Sequence, residues 1–325
     1  MRYYLWGVTF LLFILFSSCS GIRYIDIQIL NPSSVNLPKR IDQCFIINHE
    51  IFKNKDDSVV QNSIGYQIFE ENFGASMKTE LSKSPLFDSS EIIVCNLKSL
   101  KQKTDSILNR SNKICLMVNI DTMVLEDHIF GKIIDNSDDE NAIETIVGVY
   151  QLNYSFSASI GFVKNRHLIE NFKFSDTLFW SNTTHDLKST ITTLPDIKHA
   201  AKEAGSIAGQ NYVRHLAPVW TTEERILYFS TNRLMRKAYQ KFLVHDISGA
   251  VKIWINVYNN STRNLATRAA FNVALMYELM DDLNASEEWL RKSAELCQMK
   301  STSKYSDKIK KRQQMQLELD KQLLN

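Results

Sequence analysis

His128 directly follows Glu126 and Asp127, and His199 stands four residues before Glu203, the spacing that puts both side chains on one helix face. An imidazole beside a carboxylate can act as a general base, and a His–Glu pair at i, i+4 can ligate a metal. Each pair also has a plainer reading, a strand end in water for the first and a surface pair for the second, and no third group converges on either. Asp135, Asp138, Asp139 and Glu140 offer carboxylate oxygens for calcium. They lack the glycine at the sixth position and the acid at the twelfth that an EF-hand loop uses, so the stretch reads as a charged hairpin loop. No Gly-rich phosphate loop, G-x-S-x-G elbow or H-E-x-x-H helix occurs, and ten glycines in 325 residues leave little material for a nucleotide cradle. The sequence argues against an enzyme and implies no cofactor and no metal.

Among the five cysteines, Cys44, Cys95 and Cys115 lie in β-like runs, where a thiol usually serves as a small buried apolar group; there is no C-x-x-C. If the compartment is oxidising, Cys95 and Cys115 on neighbouring strands form the pair to check for a disulfide. Cys19 differs in setting. Met1-Arg2 precedes an apolar run from Tyr3 to Phe16, and Ser17-Ser18-Cys19-Ser20-Gly21 follows. A run of roughly 14 residues is too short for a bilayer core of about 30 Å and has the form of a secretory signal. A cysteine after two small residues resembles the lipobox of bacterial lipoproteins. That resemblance implies a signal peptide over 1–18, cleavage before Cys19 and diacylglycerol on its sulfur, each buried methylene adding about 0.8 kcal/mol of membrane affinity. An uncleaved signal anchor and plain secretion are the alternatives. Ser20 in place of Asp, with no acidic run nearby, points to the periplasmic face of the outer membrane.

A formal net charge of +2 gives no case for nucleic acid, which needs Lys and Arg clustered on one face. The one basic cluster, Lys308, Lys310, Lys311 and Arg312, sits among Asp307, Glu318 and Asp320 and reads as a solvated helix face. A mature chain of this length exceeds what one core usually serves, so two domains are expected. The first, 19–195, is a mixed α/β domain. Alternation in Ile25, Ile27 and Ile29 marks a half-buried strand, Cys44 to Asn48 a second, and Glu91 to Asn96 a third. Ile64, Ile68, Phe69, Phe73, Met77 and Leu81 recur at helical spacing, and Leu97 to Leu108 reads as a short helix. Lys113 to Glu126, Glu144 to Lys164 and His167 to Trp180 form a β-meander, and Ser181 to Thr193 reads as a solvated connection. The second, 196–325, is all-helical. It opens with a small-residue helix carrying Ala200, Ala201, Ala204 and Ala208, able to pack closely, which Pro218 stops. The fold class is therefore α+β.

Within that region Ala269 to Leu283, followed by Ser286, Leu290, Ser293, Ala294 and Leu296, looks like one tetratricopeptide repeat, with Asp281 where the turn usually has Gly. Asp246, Ala250 and Trp254 repeat Asp282, Ser286 and Leu290 at an offset of 36, and a last amphipathic helix from about Ser303 caps the pair. A plain helical bundle is the alternative. The order of lipobox, α/β domain, small-residue helix, Pro218-Val219-Trp220 with Arg225, then Ala270-Phe271-Asn272-Val273-Ala274 and Glu288-Trp289, resembles a family of uncharacterised lipoproteins of Gram-negative bacteria with C-terminal tetratricopeptide repeats. A looser likeness, in strand order only, joins the α/β region to periplasmic domains of lipoproteins that serve envelope secretion and assembly. In tetratricopeptide modules the first helix of each hairpin lines a concave groove. The resemblance places Arg268, Phe271, Asn272, Leu275 and Glu278 toward it, Asn272 in the position that commonly bonds a bound peptide's backbone; alternatively Asn272 bonds a neighbouring helix. Met235, Tyr239, Thr302 and Ser306 stand where the carboxylate-clamp subtype has Lys and Arg, so carboxylate capture is not implied. The expectation is a membrane-tethered module that binds an unknown envelope protein, the alternative an envelope enzyme or small-ligand binder using the α/β domain.

Overall fold

The computed structural model of the chain describes residues 21–48, 58–96, 114–134, 145–164, 167–229 and 232–323. In chain order the elements are β1 (Ile22–Asn31), β2 (Gln43–Asn48), α1 (Ser58–Leu81), β3 (Glu91–Asn96), β4 (Cys115–Ile134), β5 (Thr145–Phe162), β6 (Leu168–Thr184), α2 (Leu187–Thr192), α3 (Ile197–Leu216), β7 (Val219–Tyr228), α4 (Arg233–Leu243), α5 (Ile247–Asn260), α6 (Arg263–Leu279), α7 (Leu283–Leu296) and α8 (Lys300–Leu323). A mixed β-rich region precedes a run of helices, as an α+β chain requires. The expected helix over 97–108 and the acidic loop at 135–140 lie outside the described residues. The chain forms two compact units: Pro32–Val219, and a second in which β1 joins everything from Trp220 onward.

The first unit is a sheet with helices against it. Its strand order is β3-β2-β4-β5-β6, parallel among the first three and antiparallel thereafter. Parallel neighbours need a crossover, and α1 supplies it between β2 and β3. Central β2 is a continuous apolar run, Cys44 to Ile47, buried throughout, as a strand covered on both faces must be. Burial alone pushes the Cys44 thiol up to about 12. Because β2 lies between β3 and β4, Cys95 and Cys115 stand two strands apart rather than on neighbouring ones, and their partners on β2, Ile47 and Gln43, are four residues apart, which puts the two cysteines roughly 16 Å from each other. Tyr150, Leu152, Tyr154, Phe156 and Ala158 of β5 turn inward together, and Phe69 and Phe73 of α1 meet Tyr154 and Phe156 at ring-centre distances of 5.6 and 5.2 Å. Ile64, expected in this stripe, is 41% exposed; Gly65 takes the buried place, against Ile197.

Two glycines explain how α3 reaches α1. A Cβ on Gly205 would stand 2.3 Å from the Phe69 carbonyl oxygen, and one on Gly209 2.6 Å from that of Phe73. With Ala200, Ala201, Ala204 and Ala208 fully buried beside them, the two helix backbones touch with no side chain between. The helix read from sequence as the start of the helical part thus lies in the sheet unit, because its small face has its match on α1. Nor is the 181–193 stretch merely a solvated connection. β6 runs on to Thr184, and α2 buries Thr190 over Gly148, where a Cβ would stand 2.3 Å from Thr190 Cγ2.

The second unit pairs β1 with β7 and packs them with α4 to α8. The strands run antiparallel: the Phe229 N–H donates to the Gly21 carbonyl at 2.7 Å, while at the other end Gln28 Nε2 donates to Thr222 Oγ1 at 2.8 Å. β7 lies inside the region read from sequence as wholly helical. α4–α5 and α6–α7 form two hairpins whose matching positions behave alike. His245 and Asp281 both take φ of 60°, Asp246 and Asp282 cap the helices that follow by accepting from the Gly249 and Ala285 N–H groups, and Ala250 and Ser286 are fully buried. The offset of 36 read from sequence is thus a structural repeat of helix hairpins, and α8 closes it by burying Thr302, Tyr305 and Ile309.

Candidate functional site

The five residues expected along a groove lie on α6, and four of them are buried: Phe271 2%, Asn272 0%, Leu275 0% and Glu278 2% exposed. What covers them is β7. Asn272 Oδ1 accepts from the Tyr228 N–H and Asn272 Nδ2 donates to the Tyr228 carbonyl, both at 2.8 Å. The carboxamide thus clasps one residue of an extended strand on both its backbone groups, and that strand is the chain's own. Phe271 meets the Tyr228 ring edge-on at 5.0 Å, and the exposed Arg268 places its guanidinium 5.6 Å from the same ring. An open groove at these five residues is therefore corrected to a filled one. The reason is that β7's N–H and C=O at Tyr228 point away from β1 and need partners, which Asn272 supplies.

Glu278 is the centre of a buried charge cluster. Arg225, from β7, donates through Nε to Oε2 at 3.0 Å and through Nη2 to Oε1 at 2.9 Å. Arg312, from α8, donates to Oε1 at 2.9 Å and to Asp281 at 3.0 Å, and the Tyr305 hydroxyl also donates to Glu278. Burial works against the charge on Arg225, but the hydrogen bond and charge of Glu278 outweigh it and raise the guanidinium above its ordinary range. Burial and the Glu278 charge drive the Tyr305 phenol well above its ordinary value. At Glu223 burial opposes ionisation, yet the Arg225 hydrogen bond and charge, with Lys308 and Lys311, hold its carboxyl below the usual carboxylate range. Glu278, expected along the groove, instead joins three elements of one unit.

Beside this filled surface lies an open one. A cleft of about 440 Å³ runs between β1 and α8. Ile27, Ile29, Leu30 and Trp220 form one wall, and Leu279, Leu283, Met315, Leu319 and Leu323 the other, with Asp281, Arg312 and Asp320 as polar contributors. Trp220 keeps 51% of its surface exposed there. In the sequence these residues are 27 to 323 positions along the chain, and only the pairing of β1 with β7 assembles them.

The remaining candidates separate. Asp127 accepts from the Tyr150 hydroxyl at 3.0 Å, while His128 leans on Phe130, so β4 passes through this triplet instead of ending in water. Glu203 accepts from Trp180 Nε1 at 3.1 Å rather than joining His199, whose N–H is capped by Asp196. Among the described residues no group of three His, Cys, Asp or Glu could hold a metal ion. Cys19 lies outside the described residues. Sequence reading passed over Arg225, Tyr305 and Arg312 as a set. Thr302, Tyr305, Ile309 and Arg312 recur at helical spacing, which marks one inward face of α8 and takes Arg312 out of the solvated cluster.

A mixed sheet with three helices against it, and a unit of helix hairpins closed around a strand pair, define a two-part chain. Residues 41–228 match the family described as a domain of unknown function, DUF8603, and since this is more than half its length the chain belongs to that family. Residues 236–318, spanning most of α4 to α8, match a second domain of unknown function, DUF6340. No curated protein matches. Among solved structures the chain is similar to the PelC dodecamer from Paraburkholderia phytofirmans, at 7% identity and a TM-score of 0.23 over 58% of this chain and 96% of that one. It is also similar to a putative neuraminyllactose-binding hemagglutinin homolog from Helicobacter pylori, at 12% identity and a TM-score of 0.26 over 56% and 91%.

Proposed function

We propose that this chain is a bacterial lipoprotein, acylated at Cys19 and held at the periplasmic face of the outer membrane, that binds another envelope protein as an interaction or assembly module and carries no catalysis of its own. The helix hairpins act in the manner of tetratricopeptide repeats. One observation carries the reading: Asn272 already holds extended backbone through both polar groups of Tyr228, as a peptide-binding repeat does, and the apolar cleft between β1 and α8 lies open next to it. A strand or helix of the partner bearing two or three apolar side chains fits that cleft, with Asp320 at its rim setting its direction by charge.

Site-specific photocrosslinking in cells tests this. A crosslinker at Met315 or Leu319 gives a discrete adduct with an envelope protein, and one at Leu187, exposed on the sheet unit, does not. Adducts equal at all three positions would remove the cleft as the binding site. Fatty-acid labelling that is lost in Cys19→Ala supports the tether, and labelling unchanged by the substitution would remove it.

A further inference from the structure

Arginine usage in the helical unit is uneven. Arg225, Arg291 and Arg312 are bound to carboxylates, and Arg263 donates to the Leu296 carbonyl. Among the described residues Arg23, Arg233, Arg236 and Arg268 have no carboxylate partner, and neither has Lys237. All five are exposed. They gather about one end of the β1–β7 pair. Gly21 bonds Phe229; the Arg23 guanidinium sits 5.6 Å from the Phe229 ring centre, and Arg268 Nη1 is 3.8 Å from where a Gly21 Cβ would stand. Tyr239 of α4 meets Phe229 at 5.2 Å, which brings up the helix carrying Arg233, Arg236 and Lys237 and no acidic residue. Tyr24, the one aromatic residue of β1, is 62% exposed, on the strand face opposite that of Arg23. The nearest acid on β1, Asp26, is three residues from Arg23 and two from Tyr24, about 10 and 7 Å along the strand, and the nearest on β7, Glu224, is five residues from Phe229, about 16 Å.

The acylation proposed at Cys19 is close by in the sequence, since only Ser20 separates Cys19 from Gly21, so a lipid on Cys19 would be tethered to this end through a single residue. We propose that the Arg-rich end around Gly21 is a docking surface for an anionic phospholipid bilayer, guanidiniums on the headgroup phosphates and Tyr24 at the interface. A planar guanidinium fork pairs with phosphate oxygens, and an aromatic ring with a polar tip suits the headgroup level. A lipid anchor gains from an added electrostatic attraction to anionic headgroups, and here the two would act at one end of the unit. The position of the bilayer rests on the Cys19 reading; the affinity of the surface does not.

The test uses the full mature chain with Cys19→Ser and no acyl group, floated with vesicles of phosphatidylglycerol mixed with phosphatidylcholine or of phosphatidylcholine alone. The expected result is binding to the anionic vesicles only, reversed by high salt. The triple variant Arg23→Gln, Arg236→Gln and Arg268→Gln loses about tenfold or more in vesicle affinity, and Lys304→Gln with Lys321→Gln loses little. Equal binding to both vesicle types, binding to neither, or a folded triple variant that binds like the parent would overturn the proposal. The salt response of the parent chain decides the matter should the triple variant not fold. A chain that binds anionic vesicles yet takes no fatty acid at Cys19 keeps this surface and loses the tether. One acylated but indifferent to lipid charge does the reverse.

Discussion

The two units solve the problem of a core in opposite ways. In the sheet unit, aromatic rings from α1, α3, β5 and β6 form the core, Phe69, Phe73, Tyr154, Phe156, Phe172, Phe174 and Tyr212, and the His215–Glu170 contact beside Phe172 is partly exposed. In the helical unit, Glu278 is bound by two guanidiniums and a phenol at the place where β7, α6 and α8 meet. Apolar contact is non-directional and tolerates repacking, whereas a buried carboxylate accepts only partners in the right place. The strand pair of the helical unit is short and needs an anchor. The long meander, 17 to 20 residues per strand, does not.

That contrast breaks if removing the carboxylate is harmless. Glu278→Ala leaves Arg225 and Arg312 facing each other in a buried space and is expected to destabilise the helical unit by about 3–5 kcal/mol. Calorimetry with hydrogen exchange should show early opening of β7 and α8 while α1 and β5 stay protected; unchanged melting would end the idea of an ionic anchor. Asn272→Ala comes next. It strands a buried N–H and a buried carbonyl at Tyr228 and should cost about 3 kcal/mol, read as a lower melting temperature. If Asn272→Ala melts normally, the clasp on β7 is not formed in solution and the groove is open to a partner after all.

The sheet unit has its own sensitive point, which is steric. Gly205→Ala forces a methyl against the Phe69 carbonyl and is expected to cost about 2 kcal/mol by urea unfolding, with exchange rising in α1 and α3 only. A smaller effect of opposite sign tests the repeat. His245 holds φ of 60° as Asp281 does, so His245→Gly should stabilise by about 1 kcal/mol, whereas Asp281→Gly also loses the Arg312 contact and gains less. The smallest effect is acid sensitivity. Glu223, held below its ordinary 4.5, and Asp246, held below its ordinary 3.8 by the Lys241 hydrogen bond and the Gly249 N–H, contribute stability above those values and lose it as pH falls through the lowered ones. Asp186, which caps α2 in the sheet unit, is lowered too, so melting followed from neutral pH to about pH 3 should fall in both units and by more in the helical one, where Glu223, Asp246 and Glu288 all contribute.

Much of the local structure was legible because periodicity reports which face of an element is buried. The 91–96 strand, the Phe69 to Leu81 stripe and the hairpin repeat appear where the alternation or the helical spacing put them, and so does the meander, although its first and last strands run on to Ile134 and Thr184. The small-residue helix was legible too, since alanines and glycines on one face can only mean close approach. Three things were not. β7 was hidden because Glu223-Glu224-Arg225 interrupts its alternation, and a charged triplet looks like a helix start until Arg225 is seen to be buried against Glu278. The division of the chain was hidden because β1 belongs with helices that begin more than two hundred residues after it. And the filled state of the groove was hidden because residue types show that Asn272 can clasp a backbone, not whose backbone it clasps.

By itself, then, the sequence determined the elements, the repeat, the candidate acylation signal and the chemical capacity of α6, all of which depend on neighbours within a few turns of the chain. Only the tertiary structure decided that β7 occupies the groove, that the basic run of α8 is partly an internal ion pair, and that the unpaired arginines share one end of the helical unit. Those facts depend on long-range pairing, in which a buried hydrogen bond or ion pair must be satisfied by whichever distant segment the packing brings to it.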